Sequence, residues 1–188
     1  MIEIRAQSHW LFFSKFMRSP KTIGSVAPSS KFLAEKMVSF VPWERATAIA
    51  ELGSGTGAIT KFIRNANRSD ASVLLFEIDP QLRNLLMRGY PEYLCCSNAF
   101  DMRKYMENAG IWRFDAVISG LPFFNFTVTE RERLLEEIDY CLKPGGLFVA
   151  FQYSLQMKKM LKRKFAIESI SFVPWNIPPA FVYVCRKT

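Results

Sequence analysis

The chain has 188 residues, enough for one domain with a buried core, and 49% hydrophobic content with 17 Phe excludes a disordered polymer. A net charge of +8 points to an anionic partner, a nucleic acid or an anionic membrane surface, without choosing between them. Cys95, Cys96, Cys141 and Cys185 form no C-x-x-C pair and only His9 adds an imidazole, so reduced thiols in a cytosolic protein and no metal site are expected.

In chain order, SHWLFFSKFMRS (8–19) reads first, as a helix. At about 100° per residue, Trp10, Phe12, Phe13, Phe16 and Met17 fall on one half, and Ser14, Lys15, Arg18 and Ser19 on the other. His9 and Leu11 break the pattern. An aromatic face opposite a basic one suits a helix lying in a membrane interface, and equally a helix covering the core. Residues 1–40 are taken as an N-terminal segment packed on or gating the site, and 41–188 as the main domain. No apolar run reaches the roughly 18 residues of a bilayer span, and a signal peptide's long apolar segment is missing.

After residue 45 strands and helices alternate. Strands are expected at 47–52, 72–78, 92–96, 114–119 and 146–153, and helices at 57–67, 80–88, 101–109 and 128–142. That order implies an α/β fold, a mostly parallel sheet with helices on both faces and a ligand along one edge. The tail adds a basic helical piece (154–164) and two strand-like runs, 165–173 and 180–186, expected as an antiparallel hairpin at the sheet edge. Lys158, Lys159, Lys162, Arg163 and Lys164 make the helical piece a lipid contact, an RNA contact or a plain solvated face.

AELGSGTGAIT (50–60) follows the first strand and opens a helix. Gly53, Gly55 and Gly57 permit a tight turn and close approach of backbone to a ligand. LLFEIDP (74–80) ends the second strand on Glu77, where a carboxylate accepts both hydroxyls of a ribose. The pair indicates a nucleoside cofactor. The spacing G-x-G-x-G behind Glu51 is not the dinucleotide G-x-G-x-x-G, and no Gly-Lys-Ser/Thr follows.

This pattern resembles the class I S-adenosylmethionine (SAM) methyltransferases, seven-stranded Rossmann-like proteins with an antiparallel last strand. The resemblance implies SAM as cofactor and S-adenosylhomocysteine as product. Glu51, Gly53, Ser54, Gly55 and Gly57 would lie by the methionine end, Glu77 would hold the ribose, and Ile78 would pack on adenine. After the third strand that family often has Gly-Asp-Ala. This chain has Ser97-Asn98-Ala99, where the Asn98 amide oxygen would replace the carboxylate.

VISGLPFFNF (117–126) ends the fourth strand, beside the methyl in such a fold. The carbonyls of Ser119 and Leu121 are placed to take the hydrogens of an amine, with Gly120 and a stiffening Pro122 completing the turn. Phe123 and Phe124 would wall the acceptor or pack as core. Tyr153 and Tyr183 are candidates for orienting a headgroup. A general base is not evident.

Two families share features of this turn. The rRNA adenine N6-dimethylases carry Asn-Leu-Pro-Tyr. The bacterial phospholipid N-methyltransferases carry Ser-Gly-Leu-Pro, apolar residues and Asn-Phe, a nearer match. RSPKTIGSVAPSS (18–30), EIDP (77–80), LKPGG (142–146) and NIPPAFVYV (176–184) also resemble the second family. That resemblance implies methylation of phosphatidylethanolamine towards phosphatidylcholine by a cytoplasmic protein peripheral to the inner face of the membrane. Trp10, Phe13, Phe16 and Met17 would then be membrane contacts. The alternatives are an rRNA adenine methyltransferase, for which this chain lacks room for a further helical domain, and a non-catalytic SAM-fold module.

Overall fold

The computed structural model describes residues 30–188. The expected helix at 8–19, with Trp10, Phe13, Phe16 and Met17, lies outside the described residues.

Seven strands form one sheet. They are β1 (Ala48–Leu52), β2 (Ser72–Phe76), β3 (Leu94–Cys96), β4 (Phe114–Ser119), β5 (Leu142–Gln152), β6 (Ala166–Val173) and β7 (Ala180–Arg186), in the order β3-β2-β1-β4-β5-β7-β6. The first five run parallel, and β7 pairs antiparallel with both β5 and β6. The expected terminal hairpin is therefore present, with β7 inside it and β6 at the edge.

Among the described residues six α-helices flank the sheet, the first of them ahead of β1. α1 (Lys31–Val38), α2 (Thr60–Ala66) and α3 (Pro80–Gly89) supply Leu33, Met37, Ile63 and Leu86 to the core on one face. α4 (Met102–Asn108), α5 (Val128–Cys141) and α6 (Lys158–Lys164) supply Met106, Leu135, Ile138 and Leu161 to the other. Burial on both faces explains why β1 and β4 read as continuous apolar runs rather than alternating ones. Polar residues set the boundaries. Ser30 caps α1 by accepting from Leu33 N–H, Asp79 caps α3, and Thr127 with Glu130 forms a capping box on α5.

The expected start of β5 at 146 moves to 142. Phe114 pairs with Leu142, but Ala116 already pairs with Leu147, so Lys143–Gly146 bulge out of the strand instead of preceding it. Lys143 Nζ reaches Asp115 Oδ1 at 2.7 Å, and Asp115 Oδ2 accepts from Thr47 N–H, the Thr47 hydroxyl and Ala48 N–H. The bulge is thereby fastened to the entrance of β1.

Candidate functional site

The carboxyl ends of β1, β2, β3 and β4 meet along one edge, and the expected residues converge there. After β1 the chain turns through Gly53, at φ +73°, and Gly53 and Ser54 both donate to the Phe76 carbonyl of β2. A Cβ on Gly53 would stand 2.7 Å from Leu121 Cδ2, so this glycine is required by conformation and by packing. Gly120 N–H in turn donates to the Leu52 carbonyl. The glycine loop and the SGLP turn are thus interlocked.

Glu51 is fully buried. Its Oε2 accepts from the Thr60 hydroxyl at 2.7 Å, while its Oε1 has no partner. Burial pushes its carboxyl up to about 7, against the pull of the Thr60 hydrogen bond. The buried Ser54 hydroxyl makes no hydrogen bond of normal geometry either, although it lies near enough to Glu51 to help pull that carboxyl down. Buried polar atoms are rarely left so. A carboxylate oxygen and a hydroxyl oxygen both suit an ammonium donor, such as the amino-acid end of SAM.

Glu77 follows the last residue of β2, which ends at Phe76. Its Oε2 accepts from Gly55 N–H at 2.8 Å and its Oε1 from Asp79 N–H at 2.8 Å. Burial raises this carboxyl, and the two backbone N–H groups pull it back. Each oxygen keeps a further lone-pair site, the requirement for a vicinal diol. Ile78 is half-buried beside it. Asn98 Oδ1 accepts from Phe100 N–H at 3.0 Å and so shapes its own turn, with Ala99 half-buried next to it. One lone pair of that oxygen remains for an exocyclic amine. The residues present fit the cofactor expected from the sequence.

At the acceptor turn Ser119, Leu121 and Pro122 are buried, and the Ser119 hydroxyl accepts from Leu121 N–H at 3.2 Å. Gln152, buried at the end of β5, donates through Nε2 to the Leu121 carbonyl at 3.1 Å. Sequence reading missed Gln152, because one glutamine in an apolar strand carries no spacing signal.

Two expectations are corrected. Phe123 is no acceptor contact. It is 1% exposed and packs edge-on against Phe126 and Phe148 in the core. Only Phe124, 48% exposed, faces outward. Tyr183 is fully buried and its hydroxyl donates to the Ser154 carbonyl, so it is not placed to orient a headgroup; burial pushes its phenol up to about 12. Tyr153 is half-buried against Phe151. Burial raises its phenol and the nearby Asn176 side chain partly offsets this, so it stays protonated at neutral pH. Among the described residues no group of three or more His, Cys, Asp or Glu is placed to hold a metal ion, and no helix is long and apolar enough to cross a membrane.

Residues 50–150 match the family model described as a methyltransferase domain. The chain is 33% identical over 183 residues to an ornithine lipid N-methyltransferase of Singulisphaera acidiphila, covering 94% of this chain and 95% of that protein. It is 27% identical over 128 residues to a ubiquinone/menaquinone biosynthesis C-methyltransferase of Wigglesworthia glossinidia brevipalpis, 67% of this chain and 50% of that protein. In fold it is similar to a 1,6-didemethyltoxoflavin-N1-methyltransferase of Burkholderia thailandensis, solved with 1,6-didemethyltoxoflavin and S-adenosylhomocysteine. The TM-score there is 0.72 at 15% identity, over 99% of this chain and 89% of that one. It is also similar to a magnesium protoporphyrin IX methyltransferase of Synechocystis solved with SAM, with TM-score 0.68 at 11% identity, over 98% and 97%.

Proposed function

The chain belongs to the class I SAM-dependent methyltransferases, and from that premise we propose that it methylates the primary amine of a membrane-lipid headgroup. The observation that carries this reading is the 33% identity, over nearly both full lengths, to a protein named for N-methylation of a lipid. Phosphatidylethanolamine and an ornithine lipid both offer a primary amine. The Ser119–Pro122 turn favours the first by its resemblance, and the relative favours the second.

When bound, SAM supplies an electrophilic methyl on a sulfonium. In the proposed site Glu51, Ser54 and the loop Gly53–Gly57 hold its amino-acid end, Glu77 its ribose, and Ile78, Asn98 and Ala99 its base. Interlocking of Gly53 with Leu121 and of Gly120 with Leu52 fixes the acceptor turn against the cofactor loop, and displacement rewards such alignment. Gln152 occupies one lone pair of the Leu121 carbonyl, and the other is left to take an amine N–H. The outward face of Phe124 suits a methylated ammonium, which has fewer N–H groups to bond. Residues 1–40 would bring the protein to an anionic membrane surface, with Trp10, Phe13, Phe16 and Met17 as contacts.

The test uses purified protein, labelled SAM and parallel acceptors: phosphatidylethanolamine vesicles, ornithine-lipid vesicles, both with some anionic lipid, and bare ribosomal subunits. Label in a lipid extract, resolved into mono-, di- and trimethylated headgroups, identifies the acceptor. Label in rRNA alone would overturn the reading.

A further inference from the structure

The loop between β6 and β7 reads V-P-W-N-I-P-P-A (173–180), and residues 169–185 hold no charge at all. Trp175 is 73% exposed and Ile177 62%. Between them Asn176 is buried. Its Oδ1 accepts from Ser30 N–H at 3.0 Å and its Nδ2 donates to the Pro178 carbonyl at 2.7 Å. The loop is therefore pinned from inside while its two apolar tips stand outward. Two large exposed apolar tips on a pinned loop need a partner to justify them.

Topology fixes the direction of that loop. β7 runs against β5, and β6 runs against β7, so β6 is parallel to β4 and β5. All three end at the same edge. Exposed apolar residues follow each of these strands: Phe124 and, at the start of α5, Val128 after β4, Leu155 after β5, and Trp175 and Ile177 after β6. Phe32, two residues beyond the Ser30 that Asn176 holds, adds one more. From β4 to β6 is three strand spacings, about 14 Å. α6 starts from this edge with exposed Lys158 and Lys159. The Ser119–Pro122 turn ends β4 at this same edge.

We propose that this rim, led by Trp175 and Ile177, seats on the interfacial layer of an anionic bilayer and so holds the acceptor turn at headgroup depth. The inference rests on the lipid-amine reading. Tryptophan prefers the headgroup level, where its ring is buried and its N–H stays wet. Bare apolar tips beside two lysines match an apolar layer beneath anionic phosphates. A second copy of the chain offers this rim no anionic partner for Lys158 and Lys159, since residues 169–185 carry no charge.

The experiment compares wild type with Trp175→Ser/Ile177→Ser, both on exposed side chains and leaving Asn176 in place, with thermal melting confirming equal folding. Binding to vesicles of phosphatidylethanolamine, ornithine lipid and phosphatidylglycerol is read by sedimentation. Quenching by lipids brominated near the headgroup is read in wild type and in Trp175→Phe. Methylation is assayed on vesicles and on short-chain lipids kept monomeric. Expected are vesicle binding weakened about tenfold or more, loss of a quenchable component in Trp175→Phe, and activity lost on vesicles but kept on monomeric lipid. Unchanged vesicle binding in the double variant, equal quenching with and without Trp175, or a dimer that the double variant dissociates without effect on vesicles would each overturn the rim. If the wild type methylates neither lipid form, the lipid-amine reading has failed instead.

Discussion

Glu51→Gln separates the energetic cost of the cofactor site from its use. A carboxyl titrating near 7 in the folded chain, against an ordinary 4.5, is disfavoured in its charged form when folded. The unfolded chain therefore releases this proton at lower pH than the folded chain does. Below about 4.5 both states hold it, and the penalty is absent. As pH rises towards 7 the unfolded state gains, and native stability falls. At 1.36 kcal/mol per pH unit the full difference is about 3 kcal/mol, to order of magnitude. Glutamine keeps an oxygen for the Thr60 hydroxyl and cannot ionise. The stability of wild type minus that of the variant should therefore drop by about 3 kcal/mol between pH 4.5 and pH 8, read by urea unfolding without cofactor. Groups that do not feel Glu51 cancel in the difference; Glu77, whose charge helps to raise Glu51, belongs to the same linked titration and is read with it. A gap that does not vary with pH would refute the reasoning, since the Glu51 proton would then not be linked to folding.

Three further outcomes are expected. Gly53→Ala forces a side chain into positive φ and against Leu121, and should cost about 1–3 kcal/mol of stability by thermal or urea unfolding and weaken SAM binding by calorimetry. Gln152→Leu frees the Leu121 carbonyl and should lower kcat by about tenfold, the worth of one hydrogen bond, with SAM affinity within twofold of wild type; an equal loss in both would make Gln152 merely structural. Burial raises Asp115, but the hydrogen bonds from Lys143, Thr47 and Ala48 outweigh it and hold the carboxyl below its ordinary value. Its stabilisation is thus present at neutral pH and lost as pH falls through that lowered value, so Asp115→Asn should destabilise by about 1.5–3 kcal/mol at pH 7, with the gap closing in acid.

Much of this architecture was legible because hydrophobic period and polar punctuation agreed. EIDP marked the turn between β2 and α3, where Asp79 caps the helix. The hairpin of β6 and β7 followed from two β-rich runs separated by prolines. Less legible was α1, although Leu33, Ala34, Met37 and Val38 show helical spacing behind Ser30. It was not resolved from the rest of the first forty residues. β5 starts four residues before the expected 146, because a bulge inside a strand, here at Pro144-Gly145, has the same local chemistry as a turn outside it. At the site, the cofactor residues declare themselves by glycine spacing. The acceptor side does not. Which phenylalanine of FFNF points inward depends on a 3-10 turn packed against Phe148 from a strand twenty residues later.

That turn divides labour between adjacent identical letters. Phe123 is bolted to the interior, and Arg131 clasps the outside by donating to the Phe124 and Phe126 carbonyls. The loop's shape is therefore set by groups that never meet an acceptor. Phe124 hangs from it as an exchangeable fitting. Under the proposed lipid-amine reading, a change of that single side chain would alter what the turn presents to an acceptor, while the packing behind it stayed untouched.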